Sequence, residues 1–320
     1  MNIYNIAISA SKEYLPYAKI MILSFCKKHP NCLVNLFIFH VDTSIIKFEK
    51  DFLKLVKIFN QENNVEFVKV DYEKVRFLDN KKGWPVDLWG RWYLFDYLVG
   101  KCDRVLSLGI DTMIRHNISD FYFQELGDFY FSCCPDMFIN NSDSNKWPTI
   151  KIDMDKLNFK DKSKYINGDV VLINLNETKK NLTFDKFLNM FYKNQFRCCD
   201  QDTITYCFNN KIKFQDYLLY NYFPNLNIDG IDDKIHSKKA KIIHFAGGPK
   251  PWRVPVCEAH KYNFIPEWIE YAKEVNLINW LTYLKCLLKL PYRVTKRSLK
   301  KLIKLFLKKL NLSFKCLIFY

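Results

Sequence analysis

The chain has 320 residues, 49% apolar and 17% aromatic, enough for a large buried core, and its 9 Gly and 11 Pro exclude fibrous and low-complexity classes. The net charge of +15 is uneven: residues 275–320 carry eleven Lys or Arg and no acid, leaving the first 274 with 38 basic against 34 acidic residues, a balance of +4. A nearly neutral body with a cationic tail excludes nucleic-acid binding by the surface as a whole. Along the chain, residues 3–9 read as a buried strand. Residues 15–28 read as a helix with Tyr17, Ile20, Met21, Ser24 and Phe25 on one side. Strands at 33–41 and 65–70 flank a second helix at 45–59, and this βαβαβ rhythm predicts a parallel sheet covered on both faces and doubly wound. A helix at 88–99 and strands at 103–108, 129–133, 170–175 and 241–245 follow.

In open parallel sheets, ligands sit beyond the carboxyl ends of strands. Polar clusters stand there or beside such strands: Gly109-Ile110-Asp111, Cys134-Pro135-Asp136, Asn167-Gly168-Asp169 and Asp200-Gln201-Asp202. Singly, each has a plain explanation, since an Asp after a strand is ordinarily a turn or N-cap residue. The segment His244-Phe245-Ala246-Gly247-Gly248-Pro249-Lys250-Pro251-Trp252 is more pointed. Its His can meet a metal or a phosphate, its glycines allow close backbone approach to an anion, and Lys250, on a loop stiffened by prolines, supplies a compact positive charge. No G-x-G-x-x-G occurs, so a dinucleotide-dependent dehydrogenase is unsupported.

These motifs, in this order from about Ile3 to Trp252, resemble the family-8 retaining glycosyltransferases, whose bacterial members add galactose or glucose to lipopolysaccharide. The passage from Arg91 to Gly109-Ile110-Asp111 is similar to the segment ending in the family's D-x-D metal motif. Ile166 to Leu175 is similar to its F-N-[AS]-G-V-x-L-I-N-L strand, Asp200-Gln201-Asp202 to its D-Q-D helix start, and His244 to Trp252 to its H-[FY]-x-G-x-x-K-P-W loop. The resemblance implies an α/β, Rossmann-like GT-A nucleotide-sugar-binding fold with a mostly parallel central sheet over residues 1–270. It implies a UDP-hexose donor, a glycan or lipid-linked saccharide acceptor, and Mn²⁺ or Mg²⁺ held by Asp111 and His244. Ser9, Ala10, Ser11 and Tyr14 would lie in the loop that holds uracil and ribose. Arg91, Gly109, Ile110, Asn167, Gly168 and Asp200 would line the donor, and Gly247 and Lys250 would hold its phosphates. Asp136 and Asp202 would bind sugar hydroxyls, and Gln201 would lie near the anomeric carbon.

The chain departs from the pattern in the metal motif, in the strand at 166–175 and in the N-terminal loop. Gly109 replaces the first Asp of D-x-D, and Asp169 stands where the family has Gly. Ser11 and Glu13 also stand where it often has Asp and Asn. With one carboxylate expected beside His244, metal affinity should be weaker. Three readings stay open: an enzyme keeping the metal, an enzyme acting with little or none, and a catalytically degenerate homologue that binds sugar nucleotide or glycan.

The tail, residues 271–320, is expected to be a basic amphipathic helical segment. Leu299, Leu302, Ile303, Phe306 and Leu310 fall within a sector of about 100°, opposite Lys300, Lys301, Lys304 and Lys308. Such a helix suits an anionic membrane surface, each Lys contributing about 1 kcal/mol; packing on the body is the alternative. No run of 18 apolar residues exists, and the N-terminus has no signal-peptide pattern. Eleven cysteines without C-x-x-C spacing fit reduced thiols. The expected location is cytoplasmic, peripheral on the inner face of the cell membrane, with no nucleic-acid partner.

Overall fold

The computed structural model describes residues 1–76, 86–225, 231 and 233–278. A seven-stranded sheet runs in the order β3-β2-β1-β4-β7-β6-β8, with β1 at Ile3–Ser9, β2 at Leu33–His40, β3 at Asn64–Lys69, β4 at Arg104–Leu108, β6 at Phe131–Pro135, β7 at Ile166–Asn174 and β8 at Ile212–Phe214. The first half, β3-β2-β1-β4, is parallel throughout, as the βαβαβ rhythm predicts. β7, however, runs antiparallel to both β4 and β6, so the sheet is mixed rather than wholly parallel. The strand expected at 241–245 joins a separate two-stranded sheet, in which β9 (Ile242–His244) pairs antiparallel with β5 (Thr112–Ile114).

Alternation along the central strands divides the core between the two faces. Tyr4, Ile6, Ile8, Leu36 and Ile38 pack under helix α1 (Leu15–Lys28) and helix α2 (Glu49–Lys57). Ala7, Phe37 and Phe39 face the run 87–97 and the helices Phe184–Asn194 and Cys199–Phe208. Fully burying each such aliphatic or aromatic side chain contributes about 1.5–3 kcal/mol. α1 has Pro16 in its first turn and Lys27 and Lys28 in its last, both favourable for a helix. The second helix opens as a 3₁₀ turn, Thr43–Phe48, because the Asp42 carboxylate accepts the Ser44 amide and fixes the start there. The helix expected at 88–99 is three short pieces, Asp87–Gly90, Arg91–Tyr93 and Leu94–Tyr97. The tighter middle turn buries Trp89, Trp92 and Phe95 together.

A third cluster joins the small sheet to the helix Ile265–Glu274 through Met113, Ile243, Trp268 and Ile269. That helix crosses residue 270 and is tied to α1 by the ion pair Lys27–Glu274, so the packed body continues through Ile278. Residues 279–320, with the amphipathic tail pattern, lie outside the described residues, and among the described residues no helix is long and apolar enough to cross a membrane.

α1 is also anchored by a histidine. His29 is buried; its Nδ1 donates to the Phe25 carbonyl at 2.9 Å and its Nε2 accepts the Ile118 amide at 3.0 Å. Burial lowers its pKa, and a proton on Nε2 would face the Ile118 N–H. Below an unfolded pKa of about 6.5 the unfolded chain takes up a proton that the folded chain refuses, so this contribution to stability is present above that pH and is lost as pH falls. Long-range ¹H–¹⁵N correlation spectra at pH 6 should show His29 neutral with its proton on Nδ1. His29→Gln should flatten the fall in stability between pH 7 and 5.

Candidate functional site

The site forms where β4 ends and β7 begins. Their antiparallel ladder brings Leu108 opposite Val170, and one pair further the Gly109 amide donates to the Asp169 carbonyl at 2.7 Å. The chain then turns: the Thr112 hydroxyl donates to the Gly109 carbonyl at 2.7 Å, and β5 begins. Because Thr112 pairs with His244 and the Phe245 amide donates to the Asp111 carbonyl at 2.9 Å, Asp111 and His244 are set side by side.

His244 Nε2 lies 3.4 Å from Oδ2 of Asp111 and 3.4 Å from Oδ2 of Asp169. One ligand atom from each of these three residues falls within 4.8 Å of the others. The expectation of a single carboxylate beside His244 is therefore corrected: Asp169 supplies a second, reaching over a residue with no side chain. Lys250 Nζ donates to Asp111 Oδ2 and, at 2.7 Å, to the Phe245 carbonyl. Burial alone would raise the pKa of Asp111, but His244 and Lys250 outweigh it and hold the carboxyl well below the usual range. Burial would lower that of His244, and Asp111 and Asp169 reverse the direction.

Behind the cluster runs a chain of amides. His244 Nδ1 donates to Asn221 Oδ1 at 2.9 Å, Asn221 Nδ2 to Asn167 Oδ1 at 3.0 Å, and Asn167 Nδ2 to Asp136 Oδ2 at 3.0 Å. Gln201 Nε2 approaches the same Asp136 oxygen at 3.5 Å, and its Oε1 faces the Gly168 amide at 3.4 Å. The other Asp136 oxygen accepts the Phe138 and Ile139 amides, starting a short helix at Met137. Gly168 leaves room for Asp200 there, since a Cβ would stand 3.2 Å from its Oδ1, a tight contact.

Arg91 and Asp200 form the floor. Arg91 Nε and both terminal nitrogens reach Asp200 Oδ2 and Asp169 Oδ1, and the Trp92 indole N–H donates to Asp200 at 2.9 Å. Burial disfavours the Arg91 charge, but Asp200 and Asp169 outweigh it and raise its pKa. Asp202 is fully buried. Its oxygens accept the Tyr165 hydroxyl at 2.6 Å and the Arg197 and Cys198 amides at 2.9 and 2.6 Å, which fixes the start of the helix Cys199–Phe208. The structure thus brings Asp111, Asp136, Asn167, Gly168, Gln201, His244 and Lys250 together, whereas the polar atoms of Arg91, Asp200 and Asp202 are bonded inside the protein.

The loop after β1 closes the other side. Ser9 donates to the Asp87 carbonyl, Ala10 is buried, and the Ser11 hydroxyl bonds Glu13 at 2.9 Å. Tyr14 meets the edge of Trp252, and Tyr17 stacks on it at 4.3 Å, so the end of the Gly247–Lys250 loop docks on the start of α1. Ile110 is half-buried beneath, and Gly247 takes φ +69°. Two participants escaped sequence reasoning. Asp169 was visible in a polar cluster and as a departure at a glycine position but was given no role, and Asn221 carries no motif at all.

With the fold and site in view, the comparisons converge. The family model "Glycosyl transferase family 8" matches residues 5–254. The Escherichia coli lipopolysaccharide 1,2-glucosyltransferase is 22% identical over 261 residues, covering 78% of this chain and 73% of that protein. The Salmonella typhimurium lipopolysaccharide 1,3-galactosyltransferase is 26% identical over 259 residues, with the same coverage. The crystal structure of galactosyltransferase LgtC with donor and acceptor sugar analogs superposes with a TM-score of 0.66 at 18% identity, covering 88% of this chain and 98% of that one. The fold is that of a GT-A glycosyltransferase. The chain belongs to glycosyl transferase family 8.

The floor has a measurable weight. Arg91→Leu leaves Asp200 buried without its cation and should cost about 3–5 kcal/mol in urea denaturation. Arg91→Lys keeps the charge but loses the fork that bridges Asp200 and Asp169, and should fall between the two.

Proposed function

We propose that this chain is a retaining hexosyltransferase. It moves galactose or glucose from a UDP-sugar to a glycan or lipid-linked saccharide acceptor in the assembly of lipopolysaccharide or another surface polysaccharide. The observation that carries the reading is the amide chain from His244 to Asp136, which ties the Asp111–Asp169–His244 cluster to Gln201 in one hydrogen-bonded wall. The choice of glucose or galactose follows the two curated relatives, which use those sugars by name.

The donor set, carboxylate oxygens and an imidazole nitrogen, fits Mn²⁺ or Mg²⁺. Bound by Asp111 and His244, such a cation supplies charge neutralisation on the leaving diphosphate. The protein's own groups do the rest. Lys250 offers its charge to phosphate oxygens, and the backbone at Gly247 and Gly248 approaches them closely. Tyr14, with Ser9, Ala10 and Ser11, bounds the nucleoside end. Asp136 holds sugar hydroxyls, Asn167 keeps its carboxylate oriented, and Asp202 acts by fixing the helix that presents Gln201. An amide is a weak nucleophile, so Gln201 beside an oxocarbenium-like carbon favours acceptor attack on the face the diphosphate leaves.

A panel of UDP-hexoses, assayed for hydrolysis and transfer with and without Mn²⁺ after chelator treatment, tests this reading. Turnover should be confined to UDP-glucose or UDP-galactose, fall on chelation and return with Mn²⁺. Lys250→Ala should lower kcat by about 10²–10³, measured below the melting transition, and should also lower the melting temperature because Asp111 loses its cation. Binding of UDP-hexose with neither hydrolysis nor transfer would instead mark a sugar-nucleotide-binding homologue. The basic tail attaches the enzyme to the inner face of the cell membrane in this reading. Deleting residues from Lys285 onward should move the protein from pelleted anionic vesicles to the supernatant; a truncated protein that still pellets would refute the attachment.

A further inference from the structure

We infer that Asp169 is the second carboxylate ligand of the cation, transplanted across the β4–β7 seam from the position Gly109 now occupies. This deepens the proposed function and rests on it. Two of the departures in charge, a glycine where D-x-D begins and an aspartate where the neighbouring strand has glycine, are then one exchange.

The seam couples the two positions. Gly109 and Asp169 stand opposite each other, joined by the 2.7 Å backbone hydrogen bond. A Cβ on Gly109 would lie 2.8 Å from Cβ, Cγ and Oδ1 of Asp169, closer than such atoms approach in proteins. A side chain therefore fits from one strand or from the other, not from both as they stand. Here it comes from β7.

The transplanted group arrives ready to bind. Asp169 Oδ1 is held by Arg91 Nη1 at 3.2 Å, which leaves Oδ2 facing Nε2 of His244 at 3.4 Å. Its side chain is 30% exposed while Asp111 is 14% exposed and His244 2%, so Asp169 is the most accessible member of the cluster. A cation about 2.1 Å from each ligand puts adjacent donors about 3 Å apart and opposite donors about 4 Å apart. The two 3.4 Å separations lie within that range. On the far side, Asn221 takes the Nδ1 proton of His244 and leaves Nε2 as the metal-facing nitrogen.

The test measures binding rather than turnover. Mn²⁺ affinity for the full-length protein saturated with UDP is read by electron paramagnetic resonance or calorimetry, with a melting curve for each variant. Asp169→Asn and Asp169→Gly should each weaken Mn²⁺ by at least about tenfold. Gly109→Asp in the native background should lower the melting temperature, because the new Cβ meets Asp169. The double variant Gly109→Asp/Asp169→Gly should melt near the native protein and recover Mn²⁺ affinity to within a few-fold of it. Native-like Mn²⁺ affinity in Asp169→Asn would overturn the inference, as would a folded double variant that binds no more tightly than Asp169→Gly, or UDP binding by the native protein without any Mn²⁺. A native protein that binds no UDP would count against the proposed function itself.

Discussion

The close approach of two backbones at Gly109 and Asp169 is the constraint on which the rest of the site depends. Up to Leu108 and Val170 the strands form an ordinary antiparallel ladder, and the Gly109–Asp169 hydrogen bond is its last rung. Past that rung β4 cannot continue along its neighbour. It turns, using Thr112 to satisfy the Gly109 carbonyl, and starts the small sheet instead. Asp111 is the residue inside that turn. Its position, and that of His244 beside it, therefore follow from where the main sheet stops rather than from the local preferences of either residue.

A site with this many carboxylates folds only if their charges are met. Asp111, Asp169 and Asp200 converge within one small volume, and burying unpaired carboxylates costs several kcal/mol apiece. Arg91 meets Asp200 and Asp169 from below, and Lys250 meets Asp111 from the loop. The two cations are not equivalent. Arg91 is fixed by a fork of bonds and by the Trp92–Phe95–Phe187 stack beside it, whereas Lys250 is a point charge on a long aliphatic stem whose side chain is 23% exposed. The first can serve only as a support. The second is able to exchange Asp111 for an incoming phosphate.

The parallel half of the sheet was legible because β1, β2 and β4 are apolar runs buried along most of their length and longer helical stretches separate them; Ile3–Ser9 and Leu15–Lys28 match the predicted bounds residue for residue. The antiparallel β7 was not, since strand direction depends on where the chain has been and leaves no mark in Val170-Val171-Leu172-Ile173. The partner strand of the small sheet escaped for a related reason: the three residues Thr112–Ile114 have no period to detect, although the strand at 241–245 was expected. At the site, the His244–Trp252 loop was readable because glycine, proline, lysine and histidine are each unusual there. Asp169 could be noticed but not interpreted, because its meaning lies in its cross-strand partner. Pairing it with Gly109 requires knowing that β4 and β7 are antiparallel and in that register.

The chain of amides also sets the chemistry of the histidine. Asn221 has two neighbours that demand opposite things, an acceptor for the His244 proton and a donor for Asn167 Oδ1, and a side-chain amide meets both in one orientation only. Asn167 is under the same demand, accepting from Asn221 and the Asp169 amide while donating to Asp136. Reversing either amide would set donor against donor or acceptor against acceptor, in the interior where an unmet polar group costs about 1–3 kcal/mol. The imidazole is thereby held with Nε2 toward the two carboxylates. The same polarity leaves Asp136 as the acceptor at the chain's far end, beside the Gln201 amide. Orientation at the cation side and at the sugar side of the site is thus one property of the wall, imposed by residues that need touch neither substrate.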